Sequence, residues 1–234
     1  MSSASVDVEF IRINQLHVPS TFRLACFPHV VGSSAPFLLL SELLLPTVEV
    51  VALRYPDTGG NCPVPRIADP EVLADSAFET LVKCTDRPLA LFGHRIGAHI
   101  AYRVAQRLEH EAGTIPTTLF VSGQEPPPRA PGEAAARPAL SCPVVALAGS
   151  RGGRPVPAGA EEWKRCTDGR FGLEVFPGEA DYFRSGGRQL VNLIHDQLIS
   201  LPGRREKTRD HRGPDKGSIP APRLPHSFRV RDVP

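Results

Sequence analysis

Residues 89–98 have the sequence L-A-L-F-G-H-R-I-G-A, an apolar run that leads into two glycines four positions apart. The apolar run predicts a buried strand, and the following residues, Ile96–His110, have the length and composition of a helix. The pattern G-x-R-x-G between them predicts a tight strand-to-helix turn with Arg95 at its centre. Glycine is needed on both sides because the flanking backbone lies too close to the turn for side chains.

The alternation of strand and helix continues through most of the chain. Short apolar runs are separated by helix-length segments, which predicts an α/β fold with a mostly parallel, doubly wound sheet. Including the apolar run of the first segment, strands are expected at Phe22–Phe27, Thr47–Leu53, Leu89–Phe92, Thr118–Ser122, Val144–Ala148 and Leu173–Phe176. Helices are expected at Pro36–Leu45, Pro70–Lys83 with Asp69 as its cap, Ile96–His110, Glu161–Cys166 and Arg188–Leu201.

Composition separates a folded body from a basic tail. Hydrophobic residues make up 41% of the 234 residues and charged residues 22%, which is typical of a globular protein. The stretch 203–234 lacks hydrophobic periodicity and carries nine Lys/Arg against four Asp/Glu. We therefore expect one domain over 1–202 and a disordered tail over 203–234, with nucleic-acid binding disfavoured because Phe228 is the one Phe, Tyr or Trp among the basic residues of the tail. Residues 125–137, E-P-P-P-R-A-P-G-E-A-A-A-R, predict an unstructured linker.

The cysteines and the longest apolar run indicate the compartment. The five cysteines are unevenly spaced and form no C-x-x-C pair, which favours reduced thiols over disulfides or a zinc site. Ala35–Leu45 is interrupted by a proline and two polar residues, so it is too short to span a bilayer, and Met1–Asp7 does not have a signal-peptide pattern. We expect a cytoplasmic protein without a membrane segment, a metal or a cofactor.

Five segments lie in a fixed order along the chain: C-F-P-H-V-V-G-S-S at 26–34, V-A-L-R-Y-P-D at 51–57, F-G-H-R-I-G-A-H-I-A-Y at 92–102, L-F-V-S-G at 119–123, and C-P-V-V-A-L-A-G at 142–149 with Trp163, Phe171 and F-P-G at 176–178. Together they resemble the stand-alone (type II) thioesterases of polyketide and nonribosomal peptide synthesis. The resemblance covers about residues 20–200. It implies the α/β-hydrolase fold, with an oxyanion-hole amide supplied from the loop at 27–34.

The three triad positions implied by this resemblance no longer hold Ser, Asp and His. Arg95 stands at the nucleophile position, and arginine stays protonated and has no nucleophilic lone pair at neutral pH. No carboxylate follows 144–149 before Glu161, and Ala180 stands at the position of the base. Because the triad acts as a unit, its loss predicts that the chain does not hydrolyse thioesters by the usual route.

The resemblance also implies a helical lid that this chain lacks. Family members insert several tens of residues where this chain has only Gln124–Ser141, mostly Pro and Ala. We expect the lid to be reduced to a short loop and the cleft to be open.

Several side chains near the altered triad are candidates for a new role. Arg95, with backbone amides from Val30 and Ile96, would suit a phosphate or carboxylate; alternatively Arg95 points at solvent or pairs with an acid. His29 is the histidine expected to face the cleft. Glu179 and Asp181 flank the lost base and would serve as general acid or base in an altered reaction, or are simply solvated. His94, His99, Cys26 and Cys84 are expected to have structural roles.

Two functions follow from these patterns. The first is a non-hydrolytic accessory that docks on an acyl or peptidyl carrier protein and its phosphopantetheine arm. The alternative is an enzyme with altered chemistry, a cyclisation or dehydration that uses Arg95 with His29, Glu179 or Asp181 on a small carboxylate or thioester ligand. A gene product decaying without function is the third possibility.

Overall fold

The computed structural model describes residues 9–13, 19–29, 35–54, 69–128, 140–151, 154–178 and 187–199. The strands within these ranges are β1 (Glu9–Arg12), β2 (Phe22–Phe27), β3 (Val48–Arg54), β4 (Leu89–His94), β5 (Leu119–Ser122), β6 (Val144–Arg151), β7 (Arg154–Val156) and β8 (Phe171–Phe176). The α-helices are α1 (Ala35–Leu44), α2 (Pro70–Leu81), α3 (Ile96–His110) and α4 (Gly187–Ile199). Two 3-10 helices span Val82–Cys84 and Ala158–Cys166. None of the described helices is long and apolar enough to cross a membrane.

One sheet organises all of these elements. The strand order is β1-β3-β2-β4-β5-β6, and β6 then pairs with both β7 and β8. Strands β2, β3, β4, β5, β6 and β8 are parallel, whereas β1 and β7 pair antiparallel with their neighbours. The carboxyl ends of six strands therefore meet at one edge of the sheet, which confirms the predicted α/β architecture.

The helices cover both faces of the sheet. On one face, α2 and α3 bury an apolar stripe that includes Leu73, Leu81, Ile100 and Val104. On the other face, α1 and α4 do the same with residues such as Phe37, Leu44, Leu190 and Ile194. Because both faces are covered, the central strands are buried along nearly their whole length, as their continuous apolar sequences predicted.

The predicted elements are present, with three differences. Asp69 caps α2 as expected, because its Oδ1 accepts a hydrogen bond from the Glu71 N–H at 3.0 Å. The segment expected as a helix at Glu161–Cys166 is a 3-10 helix that already begins at Ala158. Strands β1 and β7 were not predicted. They are only four and three residues long, and they pair antiparallel with β3 and β6 respectively.

A buried charge network joins the amino ends of the strands. Glu49 on β3 and Arg23 on β2 are register partners, each only 9% exposed, and Arg23 Nε donates to Glu49 Oε2 at 2.7 Å. Arg12 of β1 reaches the other carboxylate oxygen at 2.7 Å. Arg23 also donates to the Cys84 carbonyl at 2.7 Å and to Asp86 Oδ1 at 2.6 Å. Glu49 thus accepts from both Arg12 and Arg23. Without its carboxylate, the positive charge of the nearly buried Arg23 would lose its partner on β3.

We predict that Glu49→Gln lowers the free energy of unfolding by about 3 kcal/mol, because the substitution removes one partner of a nearly buried ion pair. Urea denaturation followed by circular dichroism measures this change. The matched control is Glu162→Gln, since the Glu162 side chain is 66% exposed and lies 3.9 Å from Arg165. The control should stay within about 0.5 kcal/mol of the parent, and equal effects of the two substitutions would contradict the prediction.

Candidate functional site

Arg95 occupies the turn between β4 and α3 in a strained backbone conformation. Its φ is 52° and its ψ is −121°, and it is the one non-glycine residue with positive φ in the part of the chain that the structure describes. Two backbone hydrogen bonds hold it: its N–H donates to the Ser122 carbonyl and its carbonyl accepts from the Ala98 N–H, each at 2.8 Å. Such a conformation persists only where the surroundings fix it. The predicted tight turn is therefore confirmed, with Arg95 at its tip.

The two glycines are present for the predicted reason. A Cβ atom at Gly93 would overlap the backbone of Gly97 and Ala98. A Cβ atom at Gly97 would overlap the backbone of Phe27 and Pro28, at the end of β2. The start of α3 is consequently pressed against the carboxyl ends of two strands, and this close contact fixes where Arg95 projects.

Side chains from three neighbouring strand ends surround the turn. His29 follows β2, and its ring meets the ring of His94 edge to face with 6.4 Å between the centroids. His94 Nδ1 shares a hydrogen bond of 2.9 Å with Ser122 Oγ at the end of β5. A Cβ on Gly123 would come within 3.8 Å of Arg95 Cγ. The structure thus places the rings of His29 and His94 beside the turn that carries Arg95, near enough for the charge of Arg95 to act on both rings.

Burial and the nearby guanidinium keep both imidazoles neutral at pH 7. The pKa of His94 is lowered to about 4, first by burial, then by the positive charge of Arg95, and then by His29, which is protonated in the acidic range where His94 titrates. The pKa of His29 is lowered for the same reasons, burial and the charge of Arg95. The Nδ1 atom of His29 is closed from solvent and has no hydrogen-bond partner within the part of the chain that the structure describes.

The cation of Arg95 has no carboxylate partner among the described residues. Other arginines of those ranges do pair with acids, for example Arg23 with Glu49 and Arg107 with Glu111. Within the described ranges, the alternative in which Arg95 pairs with an acid is therefore not realised. Val30, Glu179, Ala180 and Asp181 lie outside the described residues, so their predicted roles stay predictions. Ile96 begins α3, which places its N–H in the first helical turn as expected.

Strands β6 and β7 form a hairpin at the position where the family resemblance implies the triad aspartate. Strand β6 extends through Arg151 and pairs with β7 in a register that sets Arg151 opposite Arg154. The Ser150 N–H donates to the Gly178 carbonyl at 2.6 Å, which ties this strand to the end of β8. Two glycines separate Arg151 from Arg154 in the sequence, and such a pair between strand-forming residues is a hairpin signal that would have predicted β7.

The beginning of the Pro/Ala segment is bound to the domain, contrary to the prediction that it is unstructured from Glu125 onward. The Gln124 carbonyl accepts from Trp163 Nε1 at 2.7 Å. The Glu125 carbonyl accepts from His99 Nε2 at 2.8 Å, and the Pro127 carbonyl accepts from Arg165 at 2.8 Å. These donors come from α3 and the second 3-10 helix, and they fix the backbone without regular secondary structure. The remainder, 129–139, lies outside the described residues.

The described cysteines near the sheet are structural, as expected. Cys26 lies in β2 with no exposed surface, and burial raises the pKa of its thiol. Burial is also the largest influence on Cys84, and it raises the pKa of that thiol to about 11. Neither thiol forms the thiolate that nucleophilic attack requires at neutral pH.

The sheet order and the strand-turn-helix with Gly93 and Gly97 define an α/β-hydrolase fold. A family model described as "Thioesterase domain" matches residues 22–152. Thioesterase PikA5 of Streptomyces venezuelae is 30% identical over 79% of this chain and 83% of that protein. The chain belongs to the thioesterase family.

Further relatives and solved structures agree. A probable cadicidin biosynthesis thioesterase of Streptomyces griseus is 39% identical over 45% of this chain and 29% of its own length. The type II thioesterase BorB from the borrelidin biosynthetic cluster superposes with a TM-score of 0.68 at 24% identity, covering 85% of this chain and all of that one. YbtT, a type II thioesterase from the yersiniabactin pathway, gives 0.64 at 19% identity, covering 82% and 98%.

We predict that the largely buried His94 makes the free energy of unfolding depend on pH between 6.5 and 4. Its folded pKa of about 4 lies below the ordinary 6.5, so the unfolded chain binds more protons in this range. This stability is complete above pH 6.5 and is lost as the pH falls to 4, by about 3 kcal/mol. Urea unfolding at several pH values measures the slope.

The slope should flatten in His94→Gln, which cannot titrate but can still hydrogen-bond Ser122. The control is His110→Gln, which alters an exposed histidine at the end of α3 and should leave the slope as it is. An unchanged slope in His94→Gln would show that His94 is not buried in its neutral form.

Proposed function

We propose that this thioesterase-family protein is a non-hydrolytic accessory of polyketide or nonribosomal peptide synthesis that associates with a carrier protein. The observation that supports this most directly is the position of Arg95. It holds the strained turn from which this fold presents its nucleophile, with φ of 52°. A guanidinium in that place cannot attack a thioester carbonyl, and so no acyl-enzyme forms.

The neighbouring histidines do not restore the missing chemistry. His29 and His94 are neutral and would be able to accept a proton, yet no hydroxyl or thiol of the described residues stands at the turn to be activated. The hydroxyl nearest to His94 is that of Ser122, which is fully buried and faces the interior of the cluster. A base without an accessible nucleophile does not constitute a hydrolytic site.

The relatives support the choice of partner. PikA5 is named as a thioesterase, and the probable cadicidin biosynthesis thioesterase and the gramicidin S biosynthesis protein GrsT are named for biosynthetic pathways. Type II thioesterases of such pathways act on intermediates attached to carrier proteins. We infer that this chain retains an encounter with an acyl or peptidyl carrier protein and its phosphopantetheine arm, while the triad that would release the acyl group is absent.

A second function is favoured by one specific observation. His29 is neutral and lies near Arg95, and its Nδ1 has no hydrogen-bond partner among the described residues. A neutral imidazole beside a guanidinium is a combination that abstracts a proton while the cation stabilises the resulting enolate or alkoxide. Cyclisation or dehydration of a carrier-bound intermediate would use that pair, with Glu179 or Asp181 as further acid or base.

We predict that the protein leaves acyl-loaded carrier protein intact. The acyl-carrier mass, followed by intact-protein mass spectrometry together with free thiol, should decline at the rate of the buffer blank. Thioesterase PikA5 serves as the hydrolytic control. Arg95→Ser should not create activity, since the base and the acid positions remain unfilled. Hydrolysis well above the blank that disappears in Arg95→Ala would contradict the proposal, and a mass loss of one water with no free thiol would instead establish the second function.

We further predict saturable binding of the carrier protein. Fluorescence anisotropy of a labelled carrier, with and without its phosphopantetheine arm, measures the affinity. Because the arm is expected to enter the cleft, the arm-bearing form should bind more tightly than the bare form. If neither form of the carrier protein bound saturably, the proposed accessory role and its carrier-protein partner would both be contradicted.

A further inference from the structure

We propose that a cavity at the amino edge of the sheet is a separate binding site, which takes a small carboxylate with an apolar body. The cavity measures about 270 Å³ and is lined by residues of β1, β2, β3 and the end of α2. It lies at the edge opposite the turn at Arg95. The inference goes beyond the proposed function and does not rest on it.

Part of the lining is apolar. Phe10 of β1, Val51 of β3 and Leu81 of α2 line the cavity with side chains that belong to the core beneath α2 and α3. An apolar group that packs against them is removed from water. Because ligand pockets usually begin at roughly 300 Å³, a cavity of this size suits a single ring and is too small for a long acyl chain or a phosphopantetheine arm.

The carboxylate oxygens at the cavity are all engaged by arginines. Glu49 Oε1 lies 2.7 Å from Arg12 Nη2, and Glu49 Oε2 accepts from Arg23 Nε at 2.7 Å. Asp86 Oδ1 accepts from Arg23 Nη1 at 2.6 Å, and Asp86 Oδ2 accepts from Arg87 Nη2 at 3.1 Å. A cationic ligand would have to compete with these arginines, so the acids of the cavity do not select one.

Hydrogen-bond donors, in contrast, remain available. Arg23 lines the cavity and is only 9% exposed, and its Nε and Nη1 are used by Glu49, Asp86 and the Cys84 carbonyl. Its Nη2 forms no hydrogen bond or ion pair with the described residues, which leaves two N–H groups of a nearly buried guanidinium for a ligand. Lys83 lines the same cavity and forms no ion pair within the described ranges.

The charges at the cavity leave a positive surplus. Three basic side chains line it together with two acidic ones. Burial raises the pKa of the Cys84 thiol to about 11, and the positive charges of Arg23 and Lys83 both oppose that rise, so both cations lie close to this one thiol. A carboxylate would receive charge-assisted hydrogen bonds from them, whereas a neutral group would not. The unused donors and the apolar lining therefore define the ligand as a small organic acid with a ring or branched body.

Calorimetric titration of the full chain with benzoate, benzamide and benzamidine tests the charge of the ligand. These three probes share one ring and carry a negative, a neutral and a positive group. We expect saturable binding of benzoate, with benzamide and benzamidine weaker by about tenfold or more, because they lose the charge-assisted hydrogen bonds. Acetate, which has the carboxylate without the ring, should also bind about tenfold or more weakly, because it buries little apolar surface.

A pair of lysine variants tests the location. Lys83→Gln should lower the affinity for benzoate about threefold to tenfold, since one exposed cation of the site is removed. The matched control is Lys164→Gln, because Lys164 is equally an exposed lysine but lies in the second 3-10 helix and does not line the cavity. Circular dichroism checks that both variants stay folded. In an isotope-labelled parent chain, benzoate should move the amide NMR signals of Val51 and Cys84.

Three outcomes would overturn this site: no saturable binding of benzoate, equal binding of benzamidine, or equal effects of the two lysine substitutions. Amide signals that move around Arg95 and not at Val51 and Cys84 would also overturn it. All of these outcomes are separable from failure of the proposed function, because the acyl-carrier mass reports on the turn at Arg95 and the benzoate titration on the opposite edge.

Discussion

The contact between the backbone of Gly97 and the end of β2 is the constraint on which the site depends. Because no side chain intervenes, α3 starts in direct contact with Phe27 and Pro28, and the chain must turn sharply after His94. The hydrogen bond from the Arg95 N–H to the Ser122 carbonyl then ties the turn to β5. Three strand ends are thereby held around one residue, whatever that residue is.

The backbone conformation of the turn does not depend on the chemistry of the side chain at position 95. The strained conformation at Arg95 is held by the packing of its neighbours and by main-chain hydrogen bonds, and none of these requires a hydroxyl side chain. The turn therefore accommodates an arginine side chain. The positive charge of Arg95, after burial, lowers the pKa values of His29 and His94 and so helps to hold both rings neutral.

The ionic contacts that stabilise the sheet lie at its other edge. Arg23 and Glu49 pair at the amino ends of β2 and β3, and Arg12 and Asp86 extend that network. The carboxyl edge, in contrast, holds a cation without a described acidic partner. These ionic contacts thus lie at the edge opposite the turn at Arg95, whereas the sites of parallel sheets usually form beyond the carboxyl ends of the strands.

The amino-acid sequence by itself determined the alternating strands and helices, the Asp69 cap and the tight turn at Arg95, because periodicity, capping and glycine placement act over a few neighbouring residues. It also determined that Arg95 cannot be a nucleophile. Only the tertiary structure decided that Arg23 pairs with Glu49, that His29 meets His94, and that the start of the Pro/Ala segment is bound to Trp163. These contacts join residues far apart in the chain. The pKa of His94 depends on the burial and charge that such contacts create, which no local pattern in the sequence encodes.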